Sequence, residues 1–156
     1  MINKKFMDMA IEKAKAGIRL GQTPFGACIV KNNKAIAVAH NNVWKNTDII
    51  AHAEVQAIRQ ACRKLDSVDL SGCIIYSTCE PCPMCFSACH WARISKIVYG
   101  AHIADAKKSG FSELAISNAR MKRLGKCSIS LQGDLMKDEC LELFNIWKNT
   151  GGSKAY

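Results

Sequence analysis

The first part of the chain shows a helical and then a strand pattern of apolar positions. Apolar residues recur every three to four positions over residues 6–18, which predicts an amphipathic helix that ends between Gly17 and Gly21. Two short apolar runs, residues 27–30 and 35–38, follow on either side of a pair of asparagines. This arrangement predicts a β-hairpin with an asparagine turn.

The rest of the chain alternates helical patterns with strand patterns. Helical periodicity covers four stretches: residues 53–65, 82–91, 112–124 and 134–148. Short apolar runs that predict strands lie between them: residues 73–76, 96–100 and 127–131. Helices that alternate with strands cover both faces of a mixed sheet. The pattern therefore predicts an α/β fold of three layers, an α/β/α sandwich formed by one domain over residues 1–156.

The composition agrees with one soluble domain in a reducing compartment. The 156 residues are 49% hydrophobic and 22% charged, which is typical of a globular protein of this length. No apolar run is long enough to cross a membrane, and the first residues lack the apolar stretch of a signal peptide. Nine cysteines without an export signal are typical of free thiols or metal ligands rather than disulfides. We therefore expect a cytoplasmic protein.

The net charge of +9 leaves two interpretations open. Most of the basic residues are spread along the chain, with one cluster at Arg120, Lys122, Arg123 and Lys126. Such a cluster binds nucleic acid in some proteins and is a solvated face in others. Because the cluster is short, the sequence favours the solvated face, but the charge alone does not identify a partner.

Two motifs carry groups that suit a catalytic zinc ion. His52-Ala53-Glu54 supplies an imidazole and a carboxylate, and Pro81-Cys82-Pro83-Met84-Cys85 supplies two thiolates. One imidazole and two thiolates leave the fourth position of a zinc ion open for water, which is typical of a catalytic site. The carboxylate is then placed to take a proton from that water. The order H-x-E and then P-C-x-x-C is the signature of zinc nucleobase deaminases.

The local structure predicted for these motifs also favours metal binding. His52 precedes one predicted helix, and Cys82 and Cys85 lie in the first turn of another. Helix N-termini carry partial positive charge and free N–H groups, which favour thiolate over thiol. Cysteines three positions apart lie on one face of a helix and can share a metal ion. We expect one zinc ion per chain, with His52, Cys82 and Cys85 as ligands and Glu54 as the catalytic base.

The cysteine spacing leaves two other interpretations open. Cys79, Cys82, Cys85 and Cys89 follow the C-x-x-C-x-x-C-x-x-x-C spacing of bacterial ferredoxins, which would make the protein an iron–sulfur electron carrier. Against this, His90 replaces the proline that follows such runs, no second run exists, and the histidine–glutamate motif would have no role. A structural zinc site with Cys79 as the fourth ligand is the second alternative. The other cysteines lie at apolar positions and are expected in the core: Cys28, Cys62, Cys73, Cys127 and Cys140.

At these motifs the chain resembles the cytidine deaminase superfamily, and bacterial guanine deaminases in particular. Pro24-Phe25-Gly26-Ala27 is similar to the segment before the family's first strand. Asn41 stands eleven residues before His52, where purine-acting members carry an asparagine. Residues 51–55 and 79–85 are similar to guanine deaminase motifs. The resemblance implies a mixed five-stranded sheet, one zinc ion per subunit, a homodimer, and hydrolysis of guanine to xanthine and ammonia.

The resemblance to a second group of deaminases bears on the substrate. Bacterial tRNA adenosine deaminases share the zinc motif, and Glu139-Cys140 before an aromatic helix is similar to their C-terminal region. Their usual Arg-Asp-Ala-Lys-Thr-Gly stretch is replaced by residues 101–108, whereas residues 110–113 and Tyr156 resemble guanine deaminases. We therefore expect a small purine as substrate rather than a nucleic acid. Deamination of adenosine in tRNA, or of guanosine or another nucleoside, is the alternative.

The resemblance also indicates five substrate-binding residues. Asn41 and Glu113 would supply polar groups to the base, and Phe25 and Trp91 would supply a stacking wall. Tyr156 would close over the site as part of the C-terminal segment. Each residue type has a structural alternative: asparagine in a turn, aromatic rings in the core, glutamate in solvent and tyrosine at a frayed terminus.

Overall fold

A mixed five-stranded sheet organises the chain in the computed structural model, which describes residues 2–152 and 154–156. Its strands are β1 (Gly26–Lys31), β2 (Lys34–His40), β3 (Ile74–Cys79), β4 (Lys96–Ala101) and β5 (Ser130–Gln132). They lie in the order β2-β1-β3-β4-β5. β1 pairs antiparallel with β2 and β3, while β3, β4 and β5 run parallel. The predicted mixed sheet of five strands is confirmed.

Helices cover both faces of this sheet. They are α1 (Lys4–Arg19), α2 (Val43–Asn46), α3 (Ala53–Leu65), α4 (Pro83–Trp91), α5 (Ile103–Lys108), α6 (Asn118–Leu124) and α7 (Lys137–Lys148). α1 and α7 pack on one face, and α3 packs on the other beside α4, which in turn contacts α6. The predicted three-layer α/β/α sandwich is therefore confirmed. Among the described residues, no helix is long and apolar enough to cross a membrane.

The strand β1 shows why the sequences of the central strands are continuous apolar runs. Cys28 and Val30 belong to the core shared with α1 and α7, whereas Ala27 and Ile29 belong to the core shared with α3. A strand covered by helices on both faces needs apolar side chains at every position. The cysteines expected in the core are buried, or in one case half-buried, among the same two clusters: Cys28, Cys62, Cys73, Cys127 and Cys140.

The first helix runs through one of the two glycines that were expected to end it. Gly17 is helical, and α1 ends two residues later, just before Gly21 at φ +76°. A Cβ atom at residue 17 would overlap the imidazole of His40 on β2. Gly17 therefore serves the close approach of α1 to the sheet, and only Gly21 supplies the left-handed turn after the helix.

Two predicted helices begin later than their apolar periodicity indicated. Residues 112–117 form neither helix nor strand, and the helix predicted from residue 112 begins only at Asn118. The Ser112 amide donates to the Tyr156 carbonyl at 3.1 Å and is thus engaged with a distant part of the chain. The last helix begins at Lys137 instead of residue 134, because Met136 just before it adopts a left-handed conformation at φ 52°. The short helices α2 and α5 were not predicted.

Candidate active site

Two helix starts meet at one end of the sheet and carry the predicted metal ligands. His52 is the N-cap residue of α3, and Cys82 is the N-cap residue of α4, with Pro83 as its first helical residue. The His52 side chain makes no capping hydrogen bond to α3, so its imidazole is free to face the same point as Cys82. Cys85 lies in the first turn of α4. The partial positive charge of both helix ends therefore acts on the same small region.

The three donor atoms stand at the separations that a tetrahedral metal ion requires. His52 Nδ1 lies 3.7 Å from Cys82 Sγ and 3.5 Å from Cys85 Sγ, and the donor atoms of all three residues lie within 4.8 Å of one another. Ligands about 2.0–2.3 Å from a tetrahedral zinc ion are separated by roughly 3.5 Å. The imidazole and the two sulfurs thus fit a zinc ion with one open position.

The electrostatics of the two cysteines favour a thiolate at Cys82, which is the less buried of the pair. The hydrogen bond from the Cys85 thiol lowers the pKa of Cys82 to about 4, against the opposing effect of burial and with further help from His52. The same hydrogen bond, together with burial, holds the pKa of Cys85 well above its usual range. Before metal binding, the pair therefore shares one proton, which a metal ion would displace.

Glu54 lies beside the donor group without belonging to it. Its side chain is 6% exposed in the first turn of α3, and Oε1 accepts a hydrogen bond of 3.1 Å from Ser77 Oγ. Burial, followed by the charge of Cys82, raises the pKa of Glu54. A buried carboxylate held in this way is suited to take up a proton from a neighbouring water. Ser77 was not predicted as a site residue. It lies on the same side of β3 as Ile75, which is the side that faces α3.

A small cavity joins the donor group to the residues expected to bind substrate. Its lining includes Phe25, Asn41, Glu113 and Tyr156, with His52, Glu54 and Cys82 of the motifs and with Cys79 and Glu80. The cavity leaves about 20 Å³ for the centres of water molecules. By that measure one water molecule needs about 10–15 Å³, so the closed cavity holds about one or two waters.

Asn41 joins the cavity wall to the C-terminal tyrosine. It is fully buried, its Oδ1 accepts a hydrogen bond of 2.9 Å from the Val43 amide, and its Nδ2 donates to Tyr156 Oη at 2.6 Å. The Tyr156 hydroxyl also lies 3.4 Å from Thr23 Oγ1. The Asn41 side-chain oxygen thus stabilises a turn, which was the structural alternative to substrate binding. At the same time, its side-chain amide faces the cavity.

Phe25 forms an aromatic wall of the cavity. Its ring packs edge-on against Phe111, with centroids 4.9 Å apart, and against Phe144 at 5.8 Å. The next residue, Gly26, begins β1 directly against α1, where a Cβ atom would overlap the carbonyl of Ala10. This close approach brings Phe25 over the cavity.

Glu113 lines the cavity from the irregular segment 112–117, and the buried carboxylate of Glu80 holds the end of that segment. Glu80 is 5% exposed and accepts hydrogen bonds from the amides of Ile103 at 3.3 Å and Asn118 at 2.8 Å, at the starts of α5 and α6. The Asn118 side chain donates to the Pro81 carbonyl at 2.6 Å. Burial, followed by the charges of Cys82 and Glu54, raises the pKa of Glu113 to about 7. Glu80 was not predicted as a site residue, because the amides that donate to it lie far from it in the sequence.

The structure does not bring Trp91 to this site. Trp91 is the last residue of α4 and is 82% exposed. Since Cys82 caps the other end, the length of the helix separates Trp91 from the donor group by roughly 12 Å. Trp91 therefore does not reach the donor group of its own chain, and its stacking on a bound base stays a prediction.

The two other cysteines of the run lie outside the donor group. Cys79 lines the cavity, and its Sγ contacts the His102 carbonyl at 3.5 Å. Cys89 is a residue of α4 and is fully buried in the core that α4 shares with α3. Within residues 2–152 and 154–156, only His52, Cys82 and Cys85 form a group suited to hold a metal ion. This arrangement disagrees with a four-cysteine cluster and with a fourth structural ligand at Cys79.

Comparison with known proteins agrees with this geometry. Residues 1–101 match the family model described as the cytidine and deoxycytidylate deaminase zinc-binding region. The guanine deaminase of Bacillus subtilis is 39% identical over 157 aligned positions, which cover 100% of both chains. The tRNA-specific adenosine deaminase of Aquifex aeolicus is 43% identical over 105 positions, which cover 67% of this chain and 68% of that protein.

Solved structures of deaminases share the fold. A structure of guanine deaminase from Nitrosomonas europaea matches with a TM-score of 0.85 at 28% identity, covering 94% of this chain and 84% of that chain. A protein solved in complex with 2,6-diaminopurine matches with a TM-score of 0.86 at 28% identity, covering 97% of this chain and 84% of the other.

Proposed function

The chain belongs to the cytidine and deoxycytidylate deaminase family, and on that basis we propose that it hydrolyses free guanine to xanthine and ammonia. The protein is a deaminase, a hydrolase of C–N bonds in cyclic amidines. The observation that carries the choice of substrate is the lining of the cavity beside the donor group, where Phe25, Asn41 and Glu113 suit a base and Tyr156 covers the opening. A full-length guanine deaminase relative and a related complex with a purine support the same choice.

The chemistry divides between a metal ion and one carboxylate. One zinc ion per chain, held by His52, Cys82 and Cys85, would lower the pKa of a water molecule toward neutrality. Glu54 takes the proton that this water releases and delivers it to the ring nitrogen beside the amine-bearing carbon. It then carries the second proton to the departing amine, so that guanine and water become xanthine and ammonia. The Ser77 hydroxyl keeps Glu54 Oε1 in place during both transfers.

The cavity residues would orient the base. The Phe25 ring supplies an apolar wall, and the Asn41 amide supplies a hydrogen-bond donor once it is released from Tyr156. Glu113, whose pKa is raised to about 7 by burial and then by the charges of Cys82 and Glu54, is able to hold a proton at neutral pH. It is therefore suited to accept a hydrogen bond from the exocyclic amine of guanine or to return a proton to it.

A comparison of substrates tests the proposed function. We expect turnover of guanine to exceed that of guanosine, cytosine, adenine, adenosine and a tRNA anticodon stem-loop by about 100-fold or more. Ammonia release under one set of conditions measures all six, with the Glu54→Gln protein as the background. Faster turnover of guanosine than of guanine would keep the reaction and exclude the free base as substrate.

The tRNA alternative has one specific observation in its favour. Arg120, Arg123 and Lys126 are exposed on or just after α6, which forms a basic surface. A tRNA-specific relative also aligns with two thirds of the chain. If the stem-loop alone is deaminated, and the rate falls steeply with salt, the protein acts on RNA. Equal guanine turnover at low and high salt supports the small substrate.

Removal of the Glu113 carboxylate tests its contact with the base. We expect Glu113→Ala to lower kcat/KM for guanine by about 100-fold, because it removes a proton-transfer or hydrogen-bonding group from the cavity. Glu139→Ala, which removes an exposed carboxylate from α7, is the matched control and should keep normal turnover. Unchanged guanine turnover in Glu113→Ala would exclude Glu113 from the site.

A homodimer in the cytoplasm completes the proposal. The nine cysteines are all free thiols, which agrees with a reducing compartment. Exposed apolar side chains at the mouth of the site, Ile49, Ile50 and Leu114, supply a surface for a second copy. Light scattering of the purified protein measures the assembly directly.

A further inference from the structure

The C-terminal residues lie across the mouth of the cavity. The Tyr156 ring packs 5.6 Å from the His52 ring and 5.5 Å from the Phe111 ring, centroid to centroid. The Tyr156 carbonyl accepts a hydrogen bond of 3.1 Å from the Ser112 amide. The last residue thus covers the donor group and at the same time pairs with the segment that carries Glu113.

One side chain outside the cavity wall holds this terminal segment in three ways. The Trp44 indole Nε1 donates a hydrogen bond of 2.9 Å to the Lys154 carbonyl. The Lys154 ammonium lies 4.7 Å from the centre of the Trp44 ring, a cation–π contact. The Trp44 ring also lies 6.0 Å from the Tyr156 ring. The hydrogen bond, the cation contact and the ring contact therefore all connect Trp44 to residues 154 and 156.

The position of Trp44 is not that of a core residue. Its side chain is 37% exposed on α2, a helix of four residues that follows Asn41 in the chain. α2 is itself tied to the site, because Asn41 Oδ1 accepts from the Val43 amide at its first turn. Trp44 thus connects the terminal segment to the same short helix whose first amide donates to Asn41.

The closed arrangement has to open for a base to enter. The Tyr156 hydroxyl occupies the Asn41 amide, and the remaining cavity, with its 20 Å³ for water centres, does not hold two fused rings. Entry of a purine therefore breaks the bond between Asn41 and Tyr156 and displaces the tyrosine side chain. The contact of Trp44 with Lys154 lies two residues before Tyr156. It therefore allows the Tyr156 side chain to move, but it limits how far the terminal segment moves away from the cavity.

We propose that Trp44 is a positioning residue for substrate closure: it holds Lys154 so that Tyr156 returns over the bound base. The inference rests on the proposed function, because it takes the cavity as the binding site of a purine. Trp44 acts only through Lys154 and Tyr156 and takes no part in the proton transfers. Its loss should weaken substrate retention without altering the groups that carry out the reaction.

Release of the terminal residue by a carboxypeptidase tests the contact without any substrate. We expect Trp44→Ala to release tyrosine about tenfold faster than the wild type, because a hydrogen bond and a cation–π contact that keep the segment closed are lost. Trp44→Phe keeps a ring against Lys154 but lacks the N–H donor, so its release rate should be intermediate. Leu124→Ala, which replaces an exposed apolar side chain on α6, should match the wild type.

Steady-state kinetics of the zinc-loaded enzyme separates closure from general stability. For Trp44→Ala we expect KM for guanine to rise about tenfold, with kcat within about twofold and zinc content unchanged. Trp44→Phe should recover part of the KM. A fall in kcat together with loss of zinc would show a merely structural role and overturn the proposal.

The two experiments keep the inference distinct from the proposed function. Equal tyrosine release from wild type and Trp44→Ala overturns the role of Trp44, whatever the substrate is. Failure of the wild type to turn over guanine overturns the proposed function, even if tyrosine release from Trp44→Ala is tenfold faster. Both a faster release and a raised KM are required for Trp44 to be the closure residue.

Discussion

Replacement of Glu54 by glutamine is expected to lower turnover by about 10²–10⁴-fold and to leave fold and zinc content unchanged. The amide keeps an oxygen that accepts the hydrogen bond from Ser77, but it does not take up a proton at neutral pH. Ammonia release measures turnover, elemental analysis measures zinc, and the thermal unfolding midpoint reports the fold. The combination of normal zinc with lost turnover is specific to a proton carrier.

The neighbouring hydroxyl provides a graded comparison for Glu54. Ser77→Ala removes the hydrogen bond to Oε1 but keeps the carboxylate, so we expect a loss of about tenfold or less. Near-normal turnover in Glu54→Gln would sink the proposed mechanism. Loss of zinc in the same variant would instead make Glu54 a ligand and contradict the three-donor geometry.

Loss of any one of the three donors is expected to remove bound zinc and to abolish detectable turnover. Removal of one ligand from a three-ligand site leaves two, too few to hold zinc in the open catalytic geometry. We therefore expect one zinc ion per wild-type chain and a small fraction of that in His52→Ala, Cys82→Ala and Cys85→Ala. Elemental analysis after dialysis against a weak chelator measures the difference.

The matched controls for the metal site are the other cysteines of the same run. Cys79→Ala and Cys89→Ala should keep full zinc content, because neither sulfur belongs to the donor group. Clear zinc loss in either variant would restore the interpretation with an additional cysteine ligand. Iron with sulfide and broad visible absorption in the wild type would establish the iron–sulfur cluster instead.

The regular elements were predictable where local pattern and tertiary structure agree. α3 runs over Ala53–Leu65 as its apolar periodicity indicated, and the hairpin turn falls on Asn32 and Asn33, both with positive φ. The segment 112–117 was misassigned because its helical pattern competes with hydrogen bonds to distant groups. Local periodicity contains no information about such partners, and tertiary contacts override it.

The candidate site also contains residues that the sequence could predict and residues that it could not. His52, Glu54 and Cys82 are recognisable because their chemistry depends on short spacing and on helix starts, which are local properties. The exposed position of Trp91 was not predictable, because an apolar ring has the same sequence pattern on a helix end as in a pocket. Trp44 gave no signal at all, since its importance depends on contact with Lys154, 110 positions later.

The match to the family model ends at residue 101, and this boundary also divides the site by role. The donor group, Glu54, Phe25 and Asn41 precede it, whereas Glu113 and Tyr156 follow it. The earlier part is fixed by the rigid starts of α3 and α4, and the later part consists of loop and terminus, where substitutions are tolerated more readily. Substitutions after residue 101 are therefore expected to change the fit of the base before they change the hydrolytic chemistry.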